Sequence, residues 1–200
     1  MLRALSITAL LAALPTIAAA QPSDPAAGRI EAYNQAAIAV MKDGPKLGMK
    51  GRTARFQTIV GDFYSAAMMA QIVVGAKWAG LSQADRNAAI AAMAKHTAVS
   101  LASNFDSFSG EKFTVVPQSK ERGVDRLVSA SIGPQSGSPT QLIYRMRQSG
   151  GQWKIIDVMS SGVSQLSLQR SELAQSIATG GVAGLVKKLG EIDAKMLSAR

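Results

Sequence analysis

His96, the chain's one histidine, and Asp157 are the residue types that could run acid–base chemistry. An imidazole beside a carboxylate makes a general-base dyad, and these two are the only pair the sequence offers for one. His96 lies mid-helix between Lys95 and Thr97, however, and Asp157 follows Ile155-Ile156 inside a strand-like run. A packed histidine and a structurally hydrogen-bonded aspartate are the plainer readings of such positions. Ser160, Ser161 and Ser164 have no base nearby in sequence. With no Cys anywhere, thiol catalysis and cysteine zinc sites are excluded. No catalytic residue, metal ligand or cofactor is therefore assigned. Tyr144 differs, because its hydroxyl sits on an otherwise apolar strand face, where it suits the polar end of a bound ligand.

The elements that would position these residues follow from the period of the apolar pattern. Asp24-Pro25 is a helix start, since the carboxylate accepts orphan amide hydrogens and proline fits the first turn. Ile30, Tyr33, Ala37, Val40 and Met41 then recur at helical spacing, and Gly44-Pro45 predicts an end to that helix. Further helices are predicted over 56–63, 65–74 and 82–108, the last capped by Ser82 and Asp85. The period then changes to two: 113–116, 124–132, 142–147 and 153–159 read as four strands of an antiparallel meander. Val124, Val128, Ala130 and Ile132 share one strand face, as do Leu142, Tyr144 and Met146, with Arg145 and Arg147 on the wet face. Helices return over 163–178 and 182–198. The fold class is α+β: an antiparallel sheet of about four strands, with N-terminal and C-terminal helices packed on one face.

Residues 1–20 carry Arg3, an apolar core over 5–14 and Ala18-Ala19-Ala20, the pattern of a cleaved secretory signal peptide. The expectation is a single domain over 21–200, exported to the periplasm. Cleavage removes one base from the 22 bases and 13 acids and leaves a charge near +8, which favours anionic surfaces, and in that compartment these are lipid headgroups. The charges are scattered and no nucleic-acid-binding motif occurs, so no nucleic-acid partner is expected.

The run over 142–184 combines a strand ending in Arg145-Met146-Arg147, a Gly150-Gly151 turn, Trp153-Lys154-Ile155-Ile156-Asp157-Val158, Gly162-Val163-Ser164 and Arg170-Ser171-Glu172. Together with Gly75-Ala76-Lys77-Trp78, Leu81-Ser82-Gln83-Ala84-Asp85-Arg86 and Phe105-Asp106-Ser107-Phe108-Ser109-Gly110-Glu111, it resembles the MlaC family of periplasmic lipid-binding shuttles, also called toluene-tolerance proteins. The run over 41–52 looks most like the hopanoid-associated HpnM branch. One departure is that the family places an Asp and then a Leu after Phe63, where this chain has Tyr64-Ser65 and its Asp62 stands before Phe63 instead. The resemblance implies an apolar lipid cavity between sheet and helices, and transfer of phospholipid or a hopanoid between an inner-membrane ABC transporter complex and an outer-membrane lipoprotein complex, with transient membrane contact. The cavity-lining candidates on the strands are Val128, Ala130, Ile132, Leu142, Tyr144, Met146, Ile156 and Val158. Those on helices and their flanks are Phe63, Met68, Val74, Met93, Leu101, Phe105, Val163, Leu166, Leu173 and Ile177.

Two other readings stand beside a non-enzymatic shuttle. One is a small-molecule enzyme on a cone-shaped α+β scaffold, which requires a polar dyad in the cavity. The other is a structural periplasmic adaptor whose pocket is only core.

Overall fold

Among the described residues, four helices and six strands follow in the order α1 Pro25–Phe63, α2 Ala66–Val74, a 3₁₀ segment Gly75–Gly80 and α3 Gln83–Asn104; then β1 Lys112–Val115, β2 Lys120–Arg122, β3 Asp125–Gly133, β4 Thr140–Ser149, β5 Gln152–Ser160 and β6 Val163–Ser164; and last α4 Gln165–Ser198. The computed structural model describes residues 24–198, so the expected signal peptide lies outside the described residues. The fold is α+β, as the change of period predicts. The sheet runs β1-β3-β4-β5-β6, with β2 also on β3, and its strand pairs are antiparallel. It holds six strands rather than about four. β2 is short, charged and exposed, and β6 spans two residues, so neither carries an apolar alternation that sequence could show.

Asp24 caps α1 by accepting from the Ala26 and Ala27 amides at 2.9 and 3.3 Å. Its other oxygen takes the Ser119 amide and hydroxyl from the β1–β2 connection, tying the start of α1 to the sheet. α1 does not stop at Gly44-Pro45. It bends instead, with Gly48 in a left-handed, extended-ψ conformation (φ 58°) that only glycine adopts without strain. Arg52 explains how the bend is tolerated, because its buried guanidinium donates to the Gly44 carbonyl at 3.1 Å and the Ala102 carbonyl at 2.9 Å. An ideal Cβ on Gly44 would fall 2.0 Å from the Asp106 carbonyl oxygen, so the chain needs glycine there for close approach as well.

The cap of α3 forms as the Ser82/Asp85 pair predicts: the Asp85 amide donates to Ser82 Oγ at 3.0 Å and the Ser82 hydroxyl to Asp85 Oδ2 at 2.7 Å. The core lies between the helices and one sheet face, where Tyr33, Phe56, Met93, Met146, Leu173 and Leu185 are fully buried. Val124 departs from its expected place on the apolar face. The pairing of Arg122 with Asp125 leaves Gly123-Val124 as a two-residue hairpin turn, and Val124 is 73% exposed. Asp125 is buried instead, held by Arg145 at 2.5 Å and by a two-point contact from Arg147. Those two arginines are thus neutralised in part on the sheet rather than standing free in solvent.

Candidate functional site

A cleft of about 550 Å³ opens between α3, the first turns of α4 and the sheet. The sheet wall comes from Ile132 on β3, Leu142 and Tyr144 on β4 and Val158 on β5, with Tyr144 directly opposite Val158 in the ladder. One helix wall is an α3 stripe, Thr97, Leu101 and Asn104, at the spacing that puts side chains on one face, continued by Phe105 just past the helix end. The opposing wall is an α4 stripe at the same spacing, Gln165, Leu168, Gln169 and Glu172, with Leu166 turned in beside it. Leu168 is 54% exposed, so the mouth of the cleft has an apolar lip as well as polar groups.

The floor is a tyrosine cluster. The Tyr64 hydroxyl donates to the Tyr33 hydroxyl at 3.1 Å, and the Tyr33 ring meets those of Tyr64 and Tyr144 edge-on at centroid distances of 5.7 and 5.9 Å. Edge-to-face pairs place the positive ring edge on the negative ring face, worth about 0.5–1.5 kcal/mol each beyond their burial. Burial pushes all three phenols above their ordinary range, so they remain neutral donors and acceptors in the floor.

His96 borders the cleft, but its polar partner differs from the one the sequence offers. His96 meets Asp193 on the far half of α4, Nδ1 to Oδ1 at 2.7 Å, and not Asp157. A separation of 97 residues hides that contact from any reading of local pattern. Asp157 has a structural role. It accepts from the Ser164 hydroxyl at 2.6 Å and the Leu166 amide at 3.1 Å, capping the start of α4 and fastening it to β5.

Of the predicted lining residues, Leu101, Phe105, Ile132, Leu142, Tyr144, Val158 and Leu166 border the cleft. Phe63, Val74, Met93, Val128, Ala130, Met146, Leu173 and Ile177 lie in the main core cluster, and Ile156 is buried outside that cluster. Met68 borders a smaller hollow with Arg147 and Arg170, and Val163 is about half exposed on β6. Tyr33, Tyr64, Met69 and Ser100, with the α4 stripe, complete the cleft, and the sequence pattern does not single them out for it. The helical spacing of 165, 168, 169 and 172 is the signal for that stripe, but its mixed polarity reads as an ordinary solvent face.

A solved structure of similar fold is a phospholipid-binding protein from Ralstonia solanacearum, determined in complex with a phospholipid. It is 22% identical, the match covers 86% of this chain and 99% of that one, and the TM-score is 0.68. The model of the MlaC protein family matches residues 31–191, which take in every residue that lines the cleft. The chain belongs to the MlaC family.

Proposed function

We propose that this protein binds a lipid in the cleft between its sheet and helices α3 and α4. As a periplasmic shuttle it carries phospholipid or a hopanoid-like lipid between inner- and outer-membrane transport complexes. The observation that carries this reading is an open cleft of about 550 Å³ with an apolar sheet wall in a chain of the MlaC family. That volume falls within the roughly 300–1,000 Å³ of small-molecule sites. The phospholipid held by the Ralstonia protein of similar fold supports the same ligand class. Burying a methylene is worth about 0.8 kcal/mol, so a sixteen-carbon chain gains on the order of 12 kcal/mol on leaving water. Unassisted transit through an aqueous gap is correspondingly slow, and a carrier must offer an oily environment of similar depth. The net charge, +9 for the full sequence and about +8 without residues 1–20, favours docking at anionic membrane surfaces. The hopanoid preference rests on the likeness of the 41–52 run to the HpnM branch, and export on the signal-peptide pattern of residues 1–20.

An enzymatic reading gains little support from the His96–Asp193 pair, since among the described residues no hydroxyl hydrogen-bonds to His96. The shuttle is tested with a fluorescent phospholipid in donor vesicles and unlabelled acceptor vesicles. Addition of the protein without residues 1–20 is expected to raise the transfer rate several-fold in proportion to its concentration, and a rate equal to that of vesicles alone would sink the proposal.

A further inference from the structure

The protein is strongly basic, yet among the described residues no Lys or Arg borders the cleft. Its titratable neighbours, the floor tyrosines apart, are His96, Asp157 and Glu172. Asp157 has both oxygens engaged, and Glu172 stands exposed at the mouth. His96 is buried, at 8% exposure, and Asp193 behind it is 2% exposed. Because the Asp193 oxygen is an acceptor, it holds the proton on Nδ1 and leaves Nε2 as the imidazole's second polar atom, with no protein partner among the described residues. From His96 the same α3 face runs through Ser100 to the exposed Asn104, about 12 Å along the helix axis at 1.5 Å per residue. Across the mouth stand Gln169 and Glu172 of α4. The track therefore offers an imidazole, a hydroxyl, amides and a carboxylate, and among the described residues no Lys or Arg to receive an anion.

We propose that this track selects the lipid by its polar group: it accepts a head that presents hydroxyl or ammonium hydrogen-bond donors without net negative charge, and His96, oriented by Asp193, is the specificity-determining residue. The proposal rests on the lipid-binding reading above. An anionic head would lose water without finding a guanidinium or ammonium and would face Glu172, whereas a hydroxyl or ammonium finds acceptors along its length. Basic groups elsewhere on the molecule then serve approach to membranes, and the cleft serves choice of cargo.

Mixed vesicles containing diacylglycerol, phosphatidylethanolamine, phosphatidylcholine and phosphatidic acid, all with the same acyl chains, test this without biasing the encounter step. The protein is incubated with them and re-isolated, and bound lipid is quantified by mass spectrometry against vesicle composition. Diacylglycerol and phosphatidylethanolamine are expected to exceed phosphatidic acid by about tenfold, the discrimination that one unpaired charge produces. Phosphatidylcholine, which has no donor, should fall below both. The arm that dominates tells hydroxyl from ammonium as the recognised group. Glu172→Lys, an exposed change that leaves the core untouched, should raise phosphatidic acid capture several-fold. His96→Gln should narrow the advantage of the donor-bearing lipids over phosphatidylcholine, read as a ratio within the folded protein sample. Capture of all four lipids without discrimination, or a Glu172→Lys protein with an unchanged profile, overturns the headgroup rule alone. Capture of no lipid overturns it together with the lipid-binding reading.

Discussion

At the residue scale, burial and partners decide which side chains are structural and which face the open cleft. Burial pushes the Asp125 carboxyl up, but the hydrogen bonds from Arg147 and Arg145 outweigh it and hold it below the usual carboxylate range. A depressed folded-state pKa stabilises the protein above the unfolded value of about 3.9, and that contribution is lost as pH falls through the folded value. Asp125→Asn is therefore expected to cost about 1–2 kcal/mol near neutral pH, a figure discounted because both arginines are about a third exposed. It should also flatten the loss of stability below about pH 4 in urea titrations run across pH. A second contrast separates core from cleft among the residues predicted to line the cavity. Leu173 is wholly buried, and Leu173→Ala should cost about 2–5 kcal/mol, whereas the half-buried Leu101 should cost less on truncation but lose bound lipid. Sequence marks both as apolar at helical spacing and cannot tell them apart, because the difference lies in what the opposing elements leave open.

At the scale of elements, β3 and β4 are readable because period two survives in their middles, β5 because its run is rich in β-formers although Ile155, Ile156 and Asp157 are all buried, and the cap of α3 because Ser82 and Asp85 are local. The course of α1 past Pro45 is not, since it depends on Arg52 reaching carbonyls 8 and 50 residues away. Gly180-Gly181 reads in sequence as a break between two helices and in the structure is a bend within α4, where Gly181 has φ 58° and ψ −141°. The bend lets one half of α4 wall the cleft while the other sends Asp193 to His96. A side chain in that conformation is strained, so Gly181→Ala is expected to lower stability by about 1–3 kcal/mol in chemical denaturation. The tyrosine floor is equally hidden, because Tyr33, Tyr64 and Tyr144 come from three distant segments that only the tertiary fold unites.

At the scale of the whole molecule, a strongly basic chain holds a cleft whose wall is an apolar sheet face and whose rim is polar and, among the described residues, without Lys or Arg. That separation suits the proposed carrier, which would meet membranes through charge and hold cargo through burial. The central claim is that one lipid occupies this cleft, and native mass spectrometry of the protein purified from a lipid-containing host tests it most directly. The expected spectrum shows the protein carrying one lipid mass. Leu142→Arg, which sets a charge in the sheet wall, should remove that mass while the protein remains folded by circular dichroism. A wild-type protein with no lipid mass, or a folded Leu142→Arg protein that retains it undiminished, would contradict the account.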